Sequence, residues 1–143
     1  MEFIRVEQFK EQPKEIQEVF LNWWKCDYGD LYYYNEYPLE YKDFEIIDSD
    51  LECDIEGDFD YFKSIGVIPI FTEGQLRKFI EDKTECRINI IFYPHDGYDI
   101  EITKPHYTDG YCLTEKTFEN LGEDLLQAYW KVACIIAKEE VDG

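Results

Sequence analysis

The sequence predicts an α+β fold: a small antiparallel sheet, two or three packed helices, and an acidic strand or ribbon exposed at one edge. Three observations carry this expectation. Apolar residues recur at helical spacing in three stretches, two alternating runs flank a turn signal, and every even position from Asp48 to Asp60 is a carboxylate. At 143 residues the chain has the size of a single domain, 1–143. Residues 1–60 supply a helix and a Tyr-rich, acidic segment, and residues 61–143 a helix-hairpin-helix module.

Met1 to Val6 reads as a short strand. Pro13, a favoured first-turn residue, opens a helix ending near Lys25, with Ile16, Val19, Phe20, Trp23 and Trp24 on one face. That face is either core or a partner groove, since Trp serves both roles. Tyr28, Tyr32, Tyr33, Tyr34, Tyr37 and Tyr41 then crowd together with Asp27, Asp30, Glu36 and Glu40. Such a surface suits recognition of Arg and Lys, although alternate tyrosines packing inward on strands would give the same composition.

After an apolar run ending in Ile-Pro-Ile, Thr72 with Gln75 three residues on forms a capping box. It opens a helix to about Lys83 with Leu76, Phe79 and Ile80 buried. Arg87 to Tyr93 and Tyr98 to Thr103 pair as a hairpin through Pro94-His95-Asp96-Gly97, and a third strand falls near Tyr111 to Leu113. Asn120 with Glu123 reads as a second cap. Leu121, Leu125, Ala128, Tyr129, Val132, Ile135 and Ile136 define the closing helix to about Glu139.

The acidic row is the most distinctive feature. Asp48, Asp50, Glu52, Asp54, Glu56, Asp58 and Asp60 alternate with Ser49, Leu51, Cys53, Ile55, Gly57 and Phe59, the pattern of a half-buried strand rather than a disordered acidic tract. In an extended chain the charges repeat about every 6.6 Å, a pitch close to that of phosphates along a nucleic-acid strand. Neighbouring carboxylates at that spacing repel by roughly 0.6 kcal/mol in water before screening, so the row costs a few kcal/mol in all. A solvated edge strand guarded against pairing explains charge with one or two acids; here there are seven.

Net charge narrows the partners. With 33 acidic against 14 basic residues the chain carries -19, which argues against direct contact with nucleic acid or an anionic membrane. A basic protein is the expected partner. Five cysteines without a CxxC pair read as reduced thiols, and with no apolar run of membrane-spanning length the expected location is the cytoplasm. The rival reading of the row, a calcium loop starting at Glu52, places Gly57 correctly but puts Lys63 where a bidentate Glu belongs. Cysteines and histidines lack zinc spacing, and neither His95 nor His106 sits in a catalytic motif, so no metal, cofactor or catalytic residue is expected.

The stretches IPIFTEGQLRKFIE and LLQAYWKVACIIA resemble a module of small phage and prophage proteins of Gram-positive bacteria: an "IPL-T-GQ" helix start, a hairpin, and a closing helix with a "DLLQAYW" signature. The resemblance spans Val67 to Glu139 and brings no assigned chemistry. It implies a mobile element in a bacterial host cell, and in size and charge the chain is similar to acidic DNA-mimic counter-defence inhibitors of the anti-CRISPR or anti-restriction type. The expected function is therefore a non-enzymatic inhibitor of a nucleic-acid-binding enzyme. The seven carboxylates stand in for phosphates, and Tyr32, Tyr33, Tyr34 and Tyr37 add contact area. The alternative is a phage structural or adaptor protein that binds a partner through its aromatic N-terminal helix.

Overall fold

Pro69 disfavours helix at the residue before it and cannot donate a ladder bond, and the chain uses it in an edge strand just before its main division. In the computed structural model two compact units form, Phe3–Phe71 in one and Thr72–Gly143 with Met1–Glu2 in the other. The structure describes residues 2–25, 30–33, 45, 46, 64, 66–105 and 112–143. Helices and small antiparallel sheets together make an α+β fold, as the sequence predicts.

The Phe3–Phe71 unit contains α1 (Val6–Lys10), α2 (Lys14–Trp23) and the strands β1 (Leu31–Tyr33), β2 (Glu45–Ile46) and β3 (Ile68–Ile70). Its antiparallel sheet has the order β2-β1-β3, with Leu31 between Ile46 and Ile70 and Tyr32 opposite Pro69. The expected strand at Met1 to Val6 is instead one extended contact, Ile4 N–H to the Phe71 carbonyl at 3.0 Å, followed by a helix. Gln8 explains the difference: its side-chain oxygen accepts the Arg5 N–H at 3.0 Å and closes the first turn of α1. Val6 and Phe9, one turn apart, are then both buried.

In α2, Ile16 and Phe20 face the core. Trp24 leaves the helix in an extended conformation yet is 1% exposed, its indole N–H donating to Asp30 at 3.0 Å. Phe20 stacks at an angle between Phe9 and Phe71, at 6.2 and 5.6 Å between ring centroids. The aromatic face of this helix is thus used inside the chain. Trp23, half-buried edge-on to Phe71 at 5.9 Å, is the tryptophan that keeps some surface.

The second unit runs α3 (Glu73–Thr84), β4 (Arg87–Tyr93), β5 (Gly97–Pro105), β6 (Cys112–Phe118) and α4 (Leu125–Asp142). Thr72 caps α3 through the expected box: Gln75 N–H donates to its hydroxyl at 3.4 Å, and Thr72 N–H donates to Gln75 Oε1 at 2.9 Å. Leu76, Phe79 and Ile80 are buried, and Glu85 ends the helix in the left-handed region at φ 55°. The expected hairpin forms, in the register that sets Ile88 opposite Ile102 and Ile90 opposite Ile100. The third strand is longer than the Tyr111 to Leu113 expectation. It continues to Phe118 across a bulge at Glu115, because the ladder steps from Ile102–Lys116 to Thr103–Thr114.

The closing helix starts later than expected. Asn120 adopts φ 57° and gives its N–H to Asp99 at 3.1 Å, while Leu121 bonds to Tyr98, so neither belongs to the helix. Asp124 is the cap, accepting the Gln127 N–H at 3.0 Å. The buried sector of α4 is also wider than one stripe, with Leu126, Trp130, Ala133 and Ala137 inside and Ile135 41% exposed. A helix that packs on α3 as well as the sheet buries two neighbouring sides.

Gly97 closes the hairpin at φ 89°, and a Cβ placed there would lie 2.3 Å from the Gly122 carbonyl oxygen. Gly66 has the same φ of 89° with open space around it. Gly97→Ala is therefore expected to lower unfolding stability by about 3 kcal/mol, against about 1 kcal/mol for Gly66→Ala, which carries backbone strain alone. Urea titration of the two variants measures the difference.

Candidate functional site

The residues that the sequence nominates for partner binding divide into two groups. Asp48, Asp50, Glu52, Asp54, Glu56, Asp58, Asp60, Tyr34 and Tyr37 lie outside the described residues. Tyr32 and Tyr33 lie on β1, between the two edge strands that bracket the acidic segment in sequence, β2 before it and β3 after it. Strand alternation separates them. Tyr32 is 3% exposed, so its ring offers no surface to a partner; this corrects its assignment as a contact residue. Tyr33 is half-buried and carries the Lys10 ammonium 4.8 Å from its ring centroid.

Tyr33 borders a groove of about 580 Å³ in the Phe3–Phe71 unit, floored by Ile4, Val6 and Ile70 and edged by Arg5, Glu7 and Lys10. Helix α1 positions this edge, since residues on its first and last turns project the charged groups beside the sheet. The sequence reading missed the groove because a strand at Met1 to Val6 would not have grouped Arg5, Glu7 and Lys10.

A second groove, about 590 Å³, lies in the Thr72–Gly143 unit over Ile102, Phe118 and Ile136. Three lysines and three glutamates edge it: Lys83 pairs with Glu140 at 2.9 Å, Lys116 pairs with Glu139, and Lys104 and Glu115 complete the set. Charges of both signs cancel here, which suits structural ion pairing more than capture of one ionic ligand. His95 is exposed in the hairpin turn and lines neither groove, and His106 lies outside the described residues. Among the described residues no three His, Cys, Asp or Glu side chains come together as a metal site, and no helix is long and apolar enough to cross a membrane.

The chain matches no known family, no curated protein and no solved structure. Function has to be argued from its own residues.

Among the described residues three groups titrate away from their ordinary values. Burial pushes the Cys134 thiol on α4 up to about 12. Tyr129 is raised, first by burial and then by Glu73 and Glu81, with Arg77 pulling the other way. Arg77 is itself raised, chiefly by its hydrogen bond to Glu81 at 2.9 Å. The raised cysteine marks a thiol built into the helix packing rather than a nucleophile, because the thiolate is the reactive form.

Cys134 also sets an alkaline limit. The native state holds this proton more tightly than the unfolded chain, whose cysteines titrate at about 8.5. Its contribution is therefore complete below that pH and declines towards pH 12 by about 1.4 kcal/mol per pH unit. Cys134→Ala is expected to flatten the loss of stability between about pH 8 and about pH 10.5, with Tyr129 common to both proteins, as read by urea titration at each pH. On β1, Tyr32→Ala is expected to cost about 3 kcal/mol and Tyr33→Ala less than about 1 kcal/mol, which thermal melts of the two variants distinguish.

Proposed function

We propose that the protein is a non-enzymatic, phage-encoded inhibitor that occupies the nucleic-acid site of a basic host enzyme of the CRISPR or restriction kind. The observation that carries this reading is the strict alternation of carboxylates from Asp48 to Asp60, seven in thirteen residues, within a stretch from Asp27 to Asp60 where thirteen acids meet one base, Lys42. A partner's Arg and Lys groups that evolved to bind phosphates find carboxylates at similar spacing, and charge-assisted hydrogen bonds replace those made to the nucleic-acid backbone. Tyr33, Tyr34 and Tyr37 extend the contact with rings on which guanidinium groups lie flat. Tyr32, being buried, drops out of the contact set.

The position of the row in the chain favours the reading. β2 leads into it and β3 receives the chain after it, and both strands flank β1 in a sheet backed by buried Leu31, Ile68 and Ile70. A recognition segment with a paired strand before it and another after it in the chain loses less freedom on binding than a free tail.

The test compares the wild type with a variant in which all seven carboxylates are changed to Asn or Gln. Immobilised wild type in nuclease-treated bacterial lysate is expected to retain a nucleic-acid enzyme that excess duplex DNA displaces and that raised salt releases. The amidated variant, equally folded by circular dichroism, is expected to retain none. Equal retention by both proteins, or a retained partner indifferent to DNA and to salt, would overturn phosphate mimicry.

A further inference from the structure

The three-stranded sheet of the Thr72–Gly143 unit has two edges, and they are built differently. The β6 edge carries Glu115 in a bulge followed by exposed Lys116, two of the devices that stop a strand from pairing with another chain. The β4 edge carries neither. From Ile88 to Tyr93 it reads Ile-Asn-Ile-Ile-Phe-Tyr, without charge, proline or bulge, and Phe92 and Tyr93 at its end are 51% and 45% exposed.

Backbone hydrogen bonds fix which groups face outward. Tyr98 on β5 donates its N–H to the Gly122 carbonyl, and its own carbonyl accepts the Leu121 N–H, both away from β4. Its pair with Phe92 is therefore a non-hydrogen-bonded one, and by alternation Ile88, Ile90 and Phe92 turn their N–H and C=O groups to the open side. No hydrogen bond to that side of β4 is found among the described residues.

We propose that this edge is a homodimer interface, in which two β4 strands pair antiparallel about a two-fold axis at Ile90 and join two sheets into one of six strands. The register is self-complementary. Ile90 faces Ile90 of the second copy, Ile88 faces its Phe92, and these three residue pairs exchange all the outward backbone bonds. On the opposite face Asn89 meets Ile91, and Arg87 meets Tyr93 with its guanidinium over the ring. The pairing covers the exposed Phe92 and Tyr93. Charge is compatible with this edge: in a chain of net charge -19, Arg87–Tyr93 carries one positive charge and no acid, so pairing β4 with β4 sets no acid against acid. A second copy is the occupant because this register covers Phe92 and Tyr93 of each copy with the other and brings no acid against acid.

The proposal is independent of phosphate mimicry, and salt acts on it with the opposite sign. Screening weakens the repulsion between two acidic copies, so raising the salt tightens the dimer, whereas it loosens a basic target. Sedimentation of the wild type up to about 100 µM is expected to show a monomer–dimer equilibrium that strengthens with salt. Tyr93→Lys sets a lysine against Arg87 of the second copy at both ends and is expected to weaken the dimer at least about tenfold, although it lowers the net negative charge. Tyr93→Glu sets a carboxylate there and is expected to stay within about threefold of the wild type. Tyr93 is exposed enough for both variants to fold, which melting curves check. A wild type that stays monomeric, a ladder of larger species, or two variants that behave alike would each overturn the interface.

Discussion

Exclusion of charge from the interior is the constraint on which the structure depends. With a net charge of -19 the chain gains its stability from apolar burial, and among the described residues no polar or charged side chain is buried. Each unit meets the constraint with its own core. In Phe3–Phe71 it is aromatic, with Phe9, Phe20, Trp24 and Phe71 each at most 1% exposed. In the Thr72–Gly143 unit it is the broad face of α4 against α3 and the sheet, where Ala128, Ala133 and Ala137 let neighbours approach and Tyr129 and Trp130 fill the volume between.

The distribution of charge along the chain is uneven. Asp27 to Asp60 concentrates acid, whereas the grooves beside α1 and α4 carry both signs and the β4 edge carries a single arginine. On the two proposals, the acidic segment and the β4 edge serve different partners. The first would act through long-range attraction sensitive to salt, the second through backbone pairing and apolar contact at short range. The proposed division would let one small chain assemble with itself and bind a basic protein through different residues.

The sequence alone determined the elements whose signals are local. Thr72 and Gln75 close a capping box through neighbouring groups, Ile88 to Phe92 and Tyr98 to Ile102 alternate around their own turn, and the 3.6-residue repeat in Leu76 to Ile80 needs no outside information. The alternating acids from Asp48 to Asp60 are likewise visible at once, being a pattern of composition along the chain.

What only the tertiary structure decided depends on residues far apart in sequence. α1 was hidden because a single turn is too short to show a helical period, and its placement follows from the bond between Ile4 and Phe71. The start of α4 moved to Asp124 because Leu121 and Gly122 bond to Tyr98, a contact that allows no side chain at Gly97. Burial separated Tyr32 from Tyr33, and the differing edges β4 and β6 exist only once strand order is set. Propensity and periodicity are properties of a window of residues; exposure and pairing are properties of what the rest of the chain places beside that window.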